Sequence, residues 1–253
     1  MYCSKVSIFL VLISFCFYCG VRSDSQEDEL DSLVHNWPMS SLKDIKGNAD
    51  LYGGANYTLT CDRFKIKSSA FYFTHGYVQI PPGYYFSGEE FTISLWFQLI
   101  SYQTFSALIN FGNGQEIDEI DLTMNDTLNQ IGMEFLPEKN IIYQVQASPI
   151  ELKKWYQVAF VYRESIGKFY INGKKVDSAP FEKPDMLFRA FNYIGKSNWP
   201  SDFNADAIID EIKIYEKALS SRKIYKMFLK GSLNGLLNFF ILLKLNFLIL
   251  FSF

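Results

Sequence analysis

Short apolar runs separated by turn residues fill the middle of this chain, and they constrain its fold more than any other feature. From Trp37 onward, runs of five to eight mostly apolar residues alternate with Gly, Pro, Asn, Asp and Ser. Residues 91–97 alternate with a period of two, which is the period of a strand. Asn172-Gly173 lies between two further runs and is the strongest short hairpin signal, because both residue types tolerate positive φ. The sequence therefore predicts an all-β sandwich or barrel, with neither a β-α-β rhythm nor a long internal repeat.

The same patterns locate the individual elements. Only one segment predicts a helix, running from Ser220 to Leu229 with Ile224, Met227 and Phe228 on one face. His75-Gly76 is expected to form a tight turn before Tyr77. Strands are predicted at residues 70–73, 77–80, 91–97, 105–111, 118–124, 130–135, 140–145, 155–162, 168–171, 174–176, 190–195 and 207–215.

Residues 1–23 are typical of a secretory signal peptide. Lys5 precedes an apolar run, and small residues follow it. Cleavage is expected before Asp24, with a cut after Gly20 as the alternative. The other interpretation is an uncleaved anchor, but the run is about 14 residues, short of the roughly 20 that a membrane span needs. Residues 24–36 then form a polar leader.

Residues 233–253 form a hydrophobic C-terminal tail that Lys244 and two asparagines interrupt. Three interpretations remain open: a terminal membrane helix, a lipid-anchor signal that is removed behind Gly231 and Ser232, or a faulty gene-model end. We favour membrane attachment. The expected location is extracellular, either secreted or attached to the outer face of the plasma membrane.

Charge argues against nucleic-acid partners, because the formal net charge is −3. Removing both ends takes away Lys5, Arg22 and Lys244 but no acidic residue, so the middle is more acidic still. Cys61 is then the one remaining cysteine, for which a buried thiol is favoured over an intermolecular bridge. The sequons at Asn56 and Asn125 predict a glycoprotein.

Six segments, in order, resemble the laminin-G-like domains of the concanavalin-A-like lectin/glucanase family. The resemblance covers roughly residues 37–229 and implies a two-sheet antiparallel jelly-roll sandwich. Domains of this kind are chiefly extracellular recognition modules for glycans, proteins or lipids, although a fold does not fix a function. The segments are AFYFTHGYVQIP at 70–81, FTISLWF at 91–97, WYQVAF at 155–160, FYINGK at 169–174, FNYIGK at 191–196, and IDEIKIY with ALS at 209–220.

The resemblance implies that a single structural calcium ion could lie at the rim of the sandwich. Asp202, Asp206 and Asp210 are the acids placed to contribute. For Asp210 the alternative is a structural role that ties its strand to a neighbouring loop. A pentraxin-like double calcium site is disfavoured, because Lys196 and Trp199 stand where oxygen ligands are needed.

Some glycoside hydrolases share this sandwich, and one acidic run resembles their catalytic strand. In that alternative Glu116 is the nucleophile, Asp118 its helper and Asp121 the acid. The third acid of the pattern is normally Glu, and Asp121 would point to the opposite face without a bulge. The run also follows a variable loop. We therefore expect no enzyme activity.

Aromatic residues in turn-like segments are the best candidates for ligand contacts, because sugar rings stack on exposed aromatic faces. They are Tyr84, Tyr85, Tyr102 and Trp199. The sequence thus predicts a non-enzymatic extracellular module that binds a glycan or a protein through rim loops or a concave face. The alternatives are an adhesive or structural ectodomain without a small-ligand site, and the glycoside hydrolase.

Overall fold

The computed structural model describes residues 32–86, 88–115, 117–125, 129–138 and 141–232, except for the side chain of Asn125. The predicted signal peptide, most of the leader, Glu116 and the hydrophobic tail lie outside them. A helix, α1, covers residues 221–232. The strands in the described part are β1 (Leu33–Trp37), β2 (Tyr52–Thr60), β3 (Ala70–Ile80), β4 (Gly83–Tyr84), β5 (Glu90–Leu99), β6 (Ala107–Gly112), β7 (Glu119–Asn125), β8 (Gln130–Leu136), β9 (Tyr143–Ala147), β10 (Trp155–Arg163), β11 (Ile166–Ile171), β12 (Lys174–Pro180), β13 (Phe188–Arg189), β14 (Phe191–Ile194) and β15 (Asp206–Tyr215).

The strands form two antiparallel layers that share β3. One layer has the order β12-β11-β10-β5-β15-β3, and β1 pairs with β15 beyond the end of β3. The other has the order β3-β14-β6-β7-β8-β9. Strand β2 pairs with β3 along both halves, and β4 and β13 make a separate two-stranded ribbon. This confirms the predicted jelly-roll sandwich.

The core lies between the layers because most strands alternate apolar and polar side chains. On β7, Ile120, Leu122 and Met124 are buried in the core cluster. The alternate positions, Glu119, Asp121 and Thr123, must then face away from it. Burying each large apolar side chain contributes about 1.5–3 kcal/mol, so this alternation fixes the register of the sheet.

Strand β3 passes between the layers through an irregularity at His75 and Gly76. His75 has a φ of 51°. A Cβ at Gly76 would lie 2.1 Å from the carbonyl oxygen of Asn56, so only glycine lets β2 approach here. The sequence predicted two strands and a tight turn; the structure has one continuous strand with a bulge.

The predicted hairpin at Asn172-Gly173 joins β11 and β12. Asn172 and Gly173 have φ values of 51° and 75°. The Asn172 side chain also accepts a hydrogen bond from the backbone N–H of Gln157 on β10, at 2.9 Å. The local turn signal therefore also ties the hairpin to its neighbour.

The first part of the sandwich differs from the sequence predictions in three ways. The sandwich begins at Leu33, before the expected boundary at Trp37, because β1 pairs with β15. Strand β2 was not predicted, since most of its residues are exposed and give no apolar alternation. Cys61 is exposed, so the expectation of a buried thiol is wrong.

Helix α1 packs on the outer side of the first layer. The Phe228 ring stacks on Trp96 with centroids 5.9 Å apart, and Ile224 is fully buried. Trp96 is thus buried, but beneath the helix. Within the described part of the chain, no helix is both long enough and apolar enough to span a membrane.

Candidate functional site

A groove of about 270 Å³ lies on the face of the second layer that points away from the core. Strands β7 and β8 form its floor, and the segments before β6, after β8 and after β14 form its sides. Its walls are mainly apolar, whereas its floor is acidic. The lining residues are Phe105, Asp121, Thr123, Glu134, Leu136, Ile142, Trp199, Ser201 and Asp202.

A row of polar side chains crosses the floor at one level of the sheet, and we call it the polar ladder. It consists of Tyr193 on β14, Asn110 on β6, Asp121 on β7, Glu134 on β8 and Gln144 on β9. Each residue is the cross-strand partner of the next. Directly opposite side chains have their Cβ atoms about 4.5–5.5 Å apart, so the register brings the two carboxyl groups together.

Asp121 is the least satisfied member of the ladder. Only 5% of the residue is exposed. Its Oδ2 accepts one long hydrogen bond of 3.5 Å from Asn110 Nδ2, but no described residue donates to Oδ1. A buried acceptor without a donor costs about 1–3 kcal/mol, which a ligand with a donor group could recover.

The surroundings raise the pKa values of the groove acids. Burial is the main cause for Asp121, and repulsion from Glu134, Glu119 and Asp202 adds to it, so that its pKa lies well above the usual range. Burial also raises the pKa of Glu134 to about 7, although the hydrogen bond from Gln144 opposes this shift. Burial raises the pKa of Asp202 too. The groove acids are therefore harder to ionise than free carboxyl groups, and Glu134 is partly ionised near neutral pH.

Glu119 fixes the aromatic wall of the groove. Trp199 donates from Nε1 to Glu119 Oε2 at 2.6 Å, and Asn110 donates to Oε1 at 3.0 Å. Asn198 in turn donates to Asn110 Oδ1 at 2.6 Å. Because Glu119 is fully buried, it anchors the indole ring and orients the groove-lining loop that follows β14.

Of the four predicted aromatic contacts, Trp199 lines the groove and the three tyrosines do not. Tyr84 is exposed and packs against Phe188, with centroids 5.5 Å apart. Tyr102 donates to the carbonyl of Ile150 and packs against the core. Tyr85 is only 4% exposed, so the expectation that it offers a free aromatic face is wrong.

The three aspartates expected to share an ion have separate partners. Asp202 lines the groove. Asp206 accepts hydrogen bonds from Ser101 and Tyr72, whereas Asp210 pairs with Arg63 at 2.6 Å. Across the described residues, no group of three or more His, Cys, Asp or Glu side chains is placed to hold a metal ion. The expected combination at one rim site is therefore not formed.

The acids of the predicted hydrolase pattern do not share one site in the described structure. Glu116 lies outside the described residues. Asp118 precedes β7 with a φ of 51° and lies beside the buried Arg189, with Oδ1 and Nη2 4.0 Å apart. Asp121 is the member of the predicted trio that lines the groove. Its nearest acidic partner across the sheet is Glu134, on the next strand.

Sequence reasoning missed Glu119 and Glu134. The alternation of Glu119 and Asp121 with core-facing Ile120 was a usable signal for one acidic face on β7. The pairing with Glu134 depends on the register between two strands, which a single sequence pattern does not contain.

Two antiparallel layers in jelly-roll order define the fold class of the chain as an all-β sandwich. The chain belongs to the laminin-G-type family of the concanavalin A-like lectin/glucanases superfamily, whose model matches residues 73–225, more than half of the chain. The search of curated proteins gave no match.

Solved structures with the same fold include binding domains. Domain 4 of an extracellular arabinanase from Geobacillus stearothermophilus, in complex with arabinotriose, is 21% identical with a TM-score of 0.59 and covers 77% of this chain and 97% of that one. The binding domain of Paraclostridial mosquitocidal protein 1 is 17% identical with a TM-score of 0.60, covering 80% and 53%. The botulinum neurotoxin DC binding domain, in complex with rat synaptotagmin II, is 18% identical with a TM-score of 0.59, covering 79% and 52%. This chain thus spans about half the length of the toxin domains, and the likeness establishes the fold alone.

Proposed function

We propose that this protein is a non-enzymatic extracellular module that binds a glycan in the groove on β7 and β8. The observation that carries the proposal is the combination of an aromatic wall, Trp199, with the unpartnered carboxylate oxygen of Asp121 on the floor. Sugars offer both an apolar ring face and many hydroxyl donors. A stacked aromatic and a buried acceptor are the two groups that recognise those features.

The size of the groove suits only a small portion of a ligand. Drug-sized ligands occupy roughly 300–1,000 Å³, and about 270 Å³ is just below that range. We therefore propose that one end of a glycan chain enters the groove while the remainder lies on the surface. The named complexes of similar folds contain a sugar in one case and a protein in another, so a protein carrying the glycan is an equally suitable partner.

The cellular setting is part of the same proposal. A signal peptide at residues 1–23, glycosylation at Asn56 and Asn125, and attachment through residues 233–253 would place the module outside the cell. Asn56 is exposed on β2, which is compatible with a glycan there.

A glycan array with the wild-type protein and matched variants tests this function. Trp199→Ala should weaken binding to the best ligand at least tenfold, because it removes the aromatic wall. Tyr84→Ala is the matched control, since Tyr84 is exposed but does not line the groove. Equal binding by wild type and Trp199→Ala would refute the groove as the site. Self-association without glycan binding would favour the adhesive alternative.

One observation keeps the hydrolase as a second candidate. Asp121 and Glu134 face each other across β7 and β8, and the pKa of Glu134 is raised to about 7, as a general acid requires. The test is hydrolysis of the bound oligosaccharide. Turnover by wild type that Glu134→Gln abolishes would establish an enzyme, whereas intact oligosaccharide after prolonged incubation would support the binding module.

A further inference from the structure

We propose that the groove selects glycans that carry a free, positively charged amino group over their neutral and anionic counterparts. Asp121 and Glu134, which are cross-strand partners, would contact the ammonium, and Asp202 would add negative charge at the side of the groove. This inference rests on the proposed glycan-binding function and adds the chemical class of the ligand.

The charge of the groove-lining side chains favours a cationic ligand. Three of the groove-lining residues carry carboxyl groups, and none of the lining residues is Lys, Arg or His. Elsewhere in the described structure, two buried aspartates have cationic neighbours: Asp210 pairs with Arg63, and Asp118 lies beside Arg189. Buried Asp206 instead accepts hydrogen bonds from Ser101 and Tyr72. The groove acids instead repel one another. A cationic ligand would supply the missing charge, and an anionic glycan would be repelled.

The hydrogen bonding of Asp121 also favours an ammonium group. Asp121 Oδ1 is buried and accepts no hydrogen bond from any described residue, although the residue lines an open groove. An ammonium group donates up to three hydrogen bonds and carries the compensating charge, whereas a hydroxyl donates one and carries none. An acetamide at the same position would bring one N–H and a bulky acyl group. The ammonium therefore fits this acceptor best.

The aromatic side chains at the groove also favour a cationic ligand. Trp199 is held by Glu119, and Phe105 is half-exposed at the groove edge. Aromatic faces attract cations, more strongly where the cation is desolvated. Because the described residues form no group of three acids suited to a metal, an organic ammonium is the better match than a divalent ion.

Calorimetric titration of the full chain with two oligosaccharides of equal length tests the inference. One is a β-linked glucosamine oligomer with free amines, and the other is its fully N-acetylated form, both at pH 7. We expect the free-amine oligomer to bind at least tenfold more tightly. Asp121→Asn and Glu134→Gln should each reduce this preference to less than about threefold, because they weaken binding of the free-amine oligomer more than binding of the acetylated one.

The control variant is Glu151→Gln, which removes the same charge from a side chain that is exposed and does not line the groove. It should keep the wild-type preference. Thermal melting of each variant establishes that it is folded. If Asp121→Asn does not fold, Glu134→Gln carries the test by itself.

The outcomes separate the two proposals. Equal or tighter binding of the acetylated oligomer would overturn the amine selectivity and leave glycan binding intact. Binding of neither oligomer, nor of any other glycan on the array, would overturn both proposals. A further outcome is that calcium chloride displaces the amine oligomer and raises the melting temperature of the wild type but not of Asp121→Asn. That result would show that the groove binds a metal, and it would also overturn the inference.

Discussion

At the scale of single residues, the groove uses its acids in two different ways. Glu119 is saturated by Trp199 and Asn110 and acts as an anchor. Asp121, two residues later on the same face, has an unpartnered oxygen. The contrast between a fixed and an unsatisfied carboxyl group on one strand distinguishes the groove from an ordinary acidic surface.

Glu119→Gln should loosen the hydrogen bonds that hold Trp199 and Asn110. The amide has one acceptor oxygen, whereas both carboxylate oxygens now accept hydrogen bonds, so either Asn110 or Trp199 loses its partner. We expect red-shifted tryptophan fluorescence and about five- to tenfold weaker glycan binding, from a loss on the order of 1 kcal/mol. Unchanged fluorescence and affinity would show that Glu119 does not orient the wall.

Asp121→Asn should stabilise the free protein at pH 8, in spite of its effect on ligand selectivity. The substitution removes a buried charge that lacks a cationic partner and faces Glu134. We expect a gain of roughly 1 kcal/mol in the free energy of unfolding, as is common where function maintains an unfavourable group. Urea denaturation measures it, and a clear loss of stability at pH 8 would contradict this view of Asp121.

At the scale of elements, Arg63 connects three parts of the fold. Its guanidinium pairs with Asp210 and Glu211 on β15, donates to the carbonyl of Gly231 in α1, and stacks on Trp96 of β5. Burial opposes ionisation of Glu211, but Lys213 and Arg63 hold its pKa at about 2. The arginine is therefore the centre of a buried ionic cluster.

Arg63→Ala should destabilise the protein by about 3–5 kcal/mol, because it leaves the buried Asp210 without its cation, although Glu211 keeps Lys213. Chemical denaturation would measure the loss. Lys43→Ala is a suitable control, since Lys43 makes only an exposed ion pair with Asp50 and should change stability by less than about 1 kcal/mol. A similar small effect for Arg63→Ala would mean that the cluster contributes little.

The elements that the sequence predicted are those with an apolar face. Strands β5, β7 and β10 and the hairpin at Asn172-Gly173 followed directly from period and turn chemistry. Strand β2 is mostly exposed, and the continuity of β3 depends on a close approach of Gly76 to β2, so neither left a local signal. The candidate site was predicted only at Trp199, Asp121 and Asp202, because the polar ladder arises from register across five strands.

At the scale of the whole molecule, the raised pKa values make stability depend on pH in an unusual direction. The pKa of Glu134 is about 7 in the folded protein, against 4.5 for an ordinary glutamate, and that of Asp121 is raised as well. The folded state thus binds these protons more tightly than the unfolded chain does. The contribution of Glu134 is complete at low pH and is lost as the pH rises through about 7.

We expect the free energy of unfolding to increase by on the order of 2 kcal/mol between pH 7.5 and pH 5. Glu134→Gln should remove part of this increase, because glutamine does not titrate, whereas Asp210, whose pKa burial also raises to about 7, should retain its share. Urea denaturation at several pH values provides the measurement. A stability that falls steadily from pH 7.5 to pH 5 in the wild type would contradict the assignment of bound protons to the groove.

The central claim is that the groove on β7 and β8 holds the ligand, and a crystal structure with the tightest-binding oligosaccharide of the array tests it most directly. We expect a sugar ring stacked on Trp199, with a donor group within hydrogen-bonding distance of Asp121 Oδ1. An oligosaccharide bound instead at the exposed pair of Tyr84 and Phe188, with the groove empty, would contradict it.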